Sequence, residues 1–306
     1  MDAIIETRNL TKKFGRFTAV DKVNLRVNKG EIYGFLGLNG AGKTTTIRML
    51  LGMIRPSSGE SRLCGTRVHA GNHGLWAGVG YLVEIPYAYP DLTVVENLEM
   101  VRRMRSLAAG AVDAAIERLR LGEYRDRKAR NLSLGNAQRL GLAKAIIHNP
   151  DILILDEPAS GLDPAGIVEI RELLIGLAHD RGVTVFISSH ILGEVARFAT
   201  RIGIIHEGAL VQEMAVDQLE HFRKRSLLVD APDRAGAQAV LAREGLAATL
   251  TDHGPLEITA VEALRDPGRI NALLVRAGFV PTMLKVDEED LESYFLRVIA
   301  TKGGVQ

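Results

Sequence analysis

Residues Ile32–Thr46 read IYGFLGLNGAGKTTT. The first five, Ile32–Leu36, form a compact apolar run that Gly37 ends, the pattern of a buried strand. Gly37-Leu38-Asn39-Gly40-Ala41-Gly42-Lys43-Thr44 then fits G-x-x-x-x-G-K-[ST]. In Lys43–Gly52 (KTTTIRMLLG), Ile47, Leu50 and Leu51 recur at helical spacing. The order is therefore strand, glycine loop, helix. Glycines let the backbone curl so that N–H groups converge on phosphate oxygens. The helix adds its positive N-terminus, Lys43 a mobile cation, and Thr44 a hydroxyl suited to Mg²⁺. Gly37, Asn39, Gly40, Ala41, Gly42, Lys43, Thr44 and Thr45 are the candidate phosphate-binding set.

Working outward, Ile152–Leu155 (ILIL) is a second buried strand and delivers Asp156-Glu157 at its carboxyl end. Open α/β sheets bind ligands at that end. Asp156 can hold Mg²⁺ and Glu157 can orient and polarise an attacking water. Helices near Ala165–His179 and Leu192–Ala199 alternate with strands Val183–Ser188 and Arg201–His206, predicting a mainly parallel sheet covered on both faces. Upstream, Ala3–Thr7 and Ala19–Val27 read as β-rich, and Val94–Arg130 reads as helical. Between these, Leu132-Ser133-Leu134-Gly135-Asn136-Ala137-Gln138-Arg139 precedes an apolar helix, Leu140–Ile147. Ser133 suits the helix N-cap and Gly135 keeps the backbone accessible.

Composition bounds the function. The 306 residues suggest one large domain or two modest ones, and 46% apolar with 25% charged residues describes a globular chain rather than a disordered one. Lys+Arg is 38 against 37 Asp+Glu, a balance unlike that of proteins that hold nucleic acid by bulk charge. The single Cys64 excludes an intramolecular disulfide framework and a Cys-rich zinc site. No stretch approaches the roughly 20 apolar residues of a membrane span. MDAIIETRNL lacks the basic and apolar regions of a secretory signal. If the protein works at a membrane, another chain supplies the spanning part.

The ordered set of phosphate loop, LSLGN (Leu132–Asn136), ILILDEP (Ile152–Pro158), SGLDP (Ser160–Pro164) and SSH (Ser188–His190) resembles the ATP-binding subunit of an ABC transporter over roughly residues 1–218. The resemblance implies a P-loop ABC-type α/β ATPase core, with an N-terminal antiparallel β portion and a helical signature subdomain at about 88–148. ATP and Mg²⁺ are the implied cofactors, with Thr44, Asp156 and Glu84 as candidate metal ligands. Lys43, Glu157 and His190 carry catalysis, His190 as the γ-phosphate switch. Two copies close head to tail, so Ser133 and Gly135 of one meet the nucleotide of the other, and Asp163 links the two sites. Phe14 holds the position that stacks on adenine. Phe17 competes for that role, and both could instead be core residues.

Two departures bear on the site. Glu84, in Gly80–Glu84, stands where the family's glutamine is usual, and Leu134 stands where the signature has glycine. A leucine can offer its N–H to phosphate only with its side chain turned away. Asn136 replaces a further glutamine. YLVEIPYAYPDLTVVENL, with glutamate in that loop, resembles the ATPases of bacitracin- and lantibiotic-type resistance exporters, as does the tail Leu291–Leu296 (LESYFL). That tail also has the spacing of a helix packing on its own domain, through Leu291, Phe295 and Val298. The implied partners are a transmembrane permease, seated around Glu84–Thr93 with Pro86, Tyr87, Tyr89 and Pro90, and a second nucleotide-binding subunit. No nucleic acid is expected, and the implied location is cytoplasmic, peripheral on the inner face of the membrane. A soluble ABC ATPase acting on ribosome or DNA is the alternative.

Beyond the linker His221–Ser226, a small α+β domain spans 221–306. It has strands Leu227–Asp230, Ala247–Thr251, Leu256–Thr259 and Pro281–Val286, and helices Arg234–Glu244, Pro267–Ala277 and Glu288–Ala300. Dimer stabilisation and regulation fit it equally. The arginines at 102, 103, 105 and within Arg118–Arg130 read as solvated helix faces, and Trp76 and Cys64 as packing residues.

Overall fold

The computed structural model describes residues 3–69, 71–84, 87–250 and 254–303. The chain divides into two units, Met1–Gln218 with Val298–Gln306, and Leu219–Arg297.

The first unit begins with β1 (Ala3–Phe14), β2 (Phe17–Val23), β3 (Arg26–Asn28), β4 (Ile32–Leu36), α1 (Lys43–Leu50), β5 (Ser58–Leu63), β6 (Thr66–Arg67) and β7 (Val79–Leu82). It continues with α2 (Val94–Met104), α3 (Ala111–Arg118), α4 (Leu134–Ile146), β8 (Ile152–Asp156), α5 (Pro164–Arg181), β9 (Thr184–Ser189), α6 (Leu192–Val195), β10 (Arg201–His206) and β11 (Ala209–Ala215). The central sheet has the order β11-β10-β4-β9-β8-β7. All its pairs are parallel except the antiparallel β10–β11 edge. Every residue of β4, β8 and β9 is buried, because helices cover both faces and leave no polar side. Phe186 stacks on Tyr33 at 5.5 Å and tilts against Phe35 at 5.3 Å, filling the space between β4 and β9. The parallel strands bring the carboxyl ends of β4, β8 and β9 to one edge, where the loops meet.

The antiparallel portion is a separate sheet, β2-β1-β5-β6, with β3 also on β1. The β-rich segment Ala19–Val27 falls in two strands, β2 and β3. Asn24 breaks it: its side chain donates to Lys22 O at 2.8 Å and accepts from Asn9 N at 2.8 Å, and Lys22 adopts φ 47. The helical stretch Val94–Arg130 holds two α-helices, α2 and α3. Ser106, at φ 53, ends the run after α2, and α3 restarts after Gly110. Thr93 and Glu96 form a capping box that fixes the start of α2.

Cys64 is exposed at the β5–β6 turn with φ 50, so the expectation of a packing role is wrong there. Trp76 packs against the core as expected. Arg102 and Arg103 pair with Glu99 and Arg125 with Asp113, as solvated faces should, whereas Arg105 is half-buried and donates to Trp76 O at 3.1 Å, so it is not part of a solvated face. Hydrogen bonds from Arg102 and Arg103 hold the Glu99 carboxyl down at about 2.

The second unit contains α7 (Leu219–Phe222), β12 (Arg225–Asp230), α8 (Arg234–Arg243), β13 (Ala248–Leu250), β14 (Leu256–Ile258), α9 (Val261–Arg265), α10 (Pro267–Arg276), β15 (Met283–Glu288) and the start of α11 (Leu291–Gly303). Its sheet is antiparallel in the order β13-β14-β12-β15. Read from β15, that is fourth, first, third, second, the split β-α-β-β-α-β arrangement. Leu227, Val229, Leu256 and Ile258 of the sheet meet Leu241, Ile270 and Leu274 of the helices. The expected end of the second strand, Thr251, lies outside the described residues.

Candidate nucleotide-binding and hydrolytic site

The loop after β4 turns into α1 through Gly42, whose φ is 107. A Cβ there would stand 2.5 Å from Ala19 O, so the turn needs glycine on both counts. Thr46 Oγ1 donates to Gly42 O at 2.9 Å and closes the first helical turn. Lys43 is buried, with its ammonium across the mouth of the loop. Nζ donates to Gly37 O at 2.6 Å and Leu38 O at 3.3 Å. It also forms an ion pair with Glu157 Oε1 at 3.2 Å. Asn39 and Gly40 are exposed, Ala41 is buried and Thr45 is half-buried.

The acids at the end of β8 complete the arrangement. Asp156 is 2% exposed, and its Oδ2 accepts from Thr44 Oγ1 at 2.7 Å. Its Oδ1 accepts from Ser188 Oγ at 2.5 Å. The next residue, Glu157, has φ 49, and its N–H donates to Ser188 Oγ at 3.0 Å. Glu157 Oε2 lies 2.9 Å from His190 Nδ1. A carboxylate only accepts, so Nδ1 carries the hydrogen and Nε2 faces outward. Glu157 therefore sits between an ammonium and an imidazole, and a cavity of about 600 Å³ opens on Glu157 and His190.

Lys43, Thr44, Asp156, Glu157 and His190 are thus brought into one network. Glu84 is not part of it. Its carboxylate pairs with Arg48 at 2.6 Å, and its φ is 57. Ser133 and Asp163 are each engaged as helix caps: Ser133 Oγ accepts from Asn136 N at 3.3 Å, and Asp163 Oδ1 from Gly166 N at 2.9 Å. Phe14 and Phe17 are 53% and 64% exposed at their hairpin, so neither is a core residue. Lys12 Nζ stands 5.1 Å from the Phe14 ring centre. The Leu134 side chain lies against Gly161, a glycine at φ 78, and Gly135 follows beside Leu162.

Three buried or half-buried groups escaped the sequence reading. Ser188 is one. Gln138, inside α4, donates to Pro158 O at 3.0 Å and Glu157 O at 3.4 Å, tying the signature helix to the DEP turn. His148 lines a cleft of about 460 Å³ with Arg48, Glu84, Arg105 and Lys144. A polar residue in an otherwise apolar strand or helix is the signal that marks Ser188 and Gln138. Beside the cleft, Asn97 is buried and holds the loop before α2, donating to Tyr89 O at 3.1 Å and Leu92 O at 3.2 Å. Tyr87 and Tyr89 meet edge to face at 5.6 Å, and Lys144 donates to Tyr87 O at 2.6 Å. Pro86, expected in that loop, lies outside the described residues.

Residues 20–160 match the family model described as ABC transporter. The bacitracin transport ATP-binding protein BcrA of Enterococcus faecalis is 41% identical over 305 residues, covering 99% of this chain and 98% of the relative. This chain belongs to the ATP-binding proteins of ABC transporters. The lantibiotic transport ATP-binding protein SrtF of Streptococcus pyogenes is 34% identical over 226 residues, covering 72% of this chain and 95% of its own. The dimeric ATP-binding cassette MJ0796, solved in a post-hydrolysis state with ADP and Pi, matches with a TM-score of 0.63 and 27% identity, covering 69% of this chain and 98% of that one. The chain is thus the ATP-hydrolysing subunit of an ABC transporter, and a soluble ribosome- or DNA-directed ATPase is not favoured. The family implies a permease partner and dimerisation. Among the described residues, no helix is long and apolar enough to cross a membrane.

Proposed function

We propose that this subunit hydrolyses Mg-ATP between two copies of itself to drive export of a peptide antibiotic or another drug-like cargo through a separate membrane permease. The cargo class rests on the bacitracin and lantibiotic relatives. The position follows from the partner: cytoplasmic, against the inner face of the membrane. The observation that carries the hydrolytic reading is Glu157, held between Lys43 and His190 one residue beyond the Thr44–Asp156 pair.

Each residue then has a role. Phe14 offers an aromatic face to adenine. The loop amides and Lys43 neutralise phosphate charge, the main demand of phosphoryl transfer. Two hard oxygens 2.7 Å apart, Thr44 Oγ1 and Asp156 Oδ2, suit Mg²⁺, which keeps few protein ligands. When bound, that ion neutralises charge on the β- and γ-phosphates. Glu157 accepts the hydrogen bond of the attacking water and orients it. His190, fixed through Nδ1, presents Nε2 to the γ-phosphate. Ser133 and Gly135 of the second copy close over the nucleotide, and Asp163 joins the two sites. Glu84, beside the cleft, passes closure to the permease.

The test is light scattering with Mg-ATP on wild type and Glu157→Gln. A dimer that depends on ATP and persists in the blocked variant is expected. Monomers in both, with nucleotide bound, would overturn closure as a property of this chain alone.

A further inference from the structure

One fully buried polar side chain of the site has no role in the reading above. Ser188, one residue from the end of β9, has 0% exposure. Its hydroxyl donates to Asp156 Oδ1 at 2.5 Å and accepts from Glu157 N at 3.0 Å. One oxygen on a neighbouring strand thus engages two consecutive residues of the DE pair, the first by its carboxylate and the second by its backbone. β8 and β9 pair in parallel with Asp156 opposite Ser188, so the register places the hydroxyl there.

These two bonds have consequences for both acids. With Oδ1 committed to Ser188, Asp156 is left with Oδ2 turned to Thr44. The Glu157 backbone adopts φ 49, a conformation that a residue with a Cβ disfavours and that persists only where its surroundings hold it. Ser188 holds the N–H side. Gln138 holds the carbonyl side through Pro158 O and Glu157 O. The strained peptide is therefore gripped from β9 and from α4, and that grip aims the carboxylate between Lys43 and His190.

We propose that Ser188 is a positioning residue for hydrolysis: its hydroxyl sets the Glu157 backbone so that the carboxylate can orient the attacking water. This rests on Glu157 being the residue that orients water. A serine that only satisfied a buried strand end would affect folding and nucleotide binding together. A positioning serine affects turnover through Glu157 and leaves the phosphate loop alone.

The experiment compares full-length wild type, Ser188→Ala, Ser188→Thr, Glu157→Gln and the Ser188→Ala/Glu157→Gln double variant. Metal-free binding of a fluorescent ATP analogue reports the loop, and steady-state phosphate release gives kcat and KM. Ser188→Ala should keep metal-free affinity within about twofold and lose roughly 10- to 100-fold in kcat, the scale of a misplaced catalytic group. Ser188→Thr, which keeps the hydroxyl, should recover most of that loss. Added to Glu157→Gln, Ser188→Ala should lower the residual rate by less than about twofold, because the two act as one unit. A full, multiplicative loss in the Glu157→Gln background, or wild-type kcat in Ser188→Ala, overturns the proposal. If Glu157→Gln itself turns over like wild type, the reading of Glu157 is what fails. If Ser188→Ala loses metal-free binding, Gln138→Ala releases the same peptide from the other side. It should lower kcat with the same dependence on Glu157, and an unchanged kcat overturns the clamp.

Discussion

His148 makes the stability of the first unit depend on pH. It lies in the turn between α4 and β8, half-buried, with Nε2 3.1 Å from Val79 O. The carbonyl only accepts, so Nε2 carries the hydrogen and Nδ1 is left with a lone pair. Nδ1 is buried and meets no hydrogen-bond partner. Burial, and then the Arg105 guanidinium, push the imidazole down to about 4 from an ordinary 6.5. Above pH 6.5 the ring is neutral in both folded and unfolded chains, and its contribution is complete. As pH falls below 6.5 the unfolded chain takes a proton that the folded one refuses, so stability is lost until about pH 4 and then levels. Two and a half pKa units correspond to a ceiling of about 3.4 kcal/mol. Partial solvent screening of a half-buried ring reduces that to about 1–2 kcal/mol. The assay is urea unfolding followed by Trp76 fluorescence at pH 7.5 to 4.5, on wild type and His148→Gln. Trp76 is the single tryptophan and packs on the first unit's core, so it reports that unit. Wild type should lose about 1–2 kcal/mol more than the variant across that window, since the other titrating groups are shared. Parallel curves would refute the burial argument.

Two further outcomes follow from the departures at Leu134 and Glu84. Gly161→Ala places a Cβ into the Leu134 side chain at φ 78. The left-handed backbone costs about 1 kcal/mol, and Leu134, 59% exposed, can swing out at a similar or smaller cost. Thermal unfolding should show a loss of about 1–2 kcal/mol, shrinking toward 1 in a Leu134→Ala background; strict additivity would mean the two residues do not touch. Glu84→Ala breaks an exposed ion pair with Arg48, worth roughly 0.2–1 kcal/mol. Stability and ATP affinity should hardly change while transport by the reconstituted complex falls. Equal loss of transport and isolated-subunit ATPase activity would count against a coupling role.

What could be read without coordinates was what is local in the chain. IYGFL, ILIL and VTVFIS announced strands because a parallel sheet covered on both faces leaves no polar positions to interrupt them. The phosphate loop announced itself because its function uses backbone groups at fixed spacing. The hairpin β5–β6 and the edge strand β11 were missed. SGESRL is a strand only because its neighbours complete its hydrogen bonds, and its polar residues read as a loop; ALVQEMA, mostly half-buried, lacks the alternation that marks a strand. In the site, Lys43, Thr44, Asp156, Glu157 and His190 could be named from motifs. The pairings among them could not, since Thr44 and Asp156 are separated by 112 positions. Leu134 shows the same limit. The sequence sets a condition on its side chain, and Gly161, 27 positions on, meets it by offering a surface without a Cβ.

The hydrogen bonds also determine how the site responds to damage. Thr44 Oγ1 donates to Asp156, Ser188 Oγ donates to the same carboxylate, the Glu157 N–H donates to Ser188, and the Glu157 carboxylate meets His190. This is an unbroken polar chain from the phosphate loop through the strand ends to His190. Bonds in such a chain polarise one another and share their geometry, so removing one member misaligns the next. Removing any one of these polar groups should lower turnover, and a second removal along the chain should add less than its single effect. The binding half can survive that loss, because the loop amides that hold phosphate belong to the backbone. Binding that persists without hydrolysis is what the proposed closure on ATP and reopening on turnover require. The separation is built from where the hydrogen bonds run: side chains join the acids to His190, while the loop amides with Lys43 make the cradle.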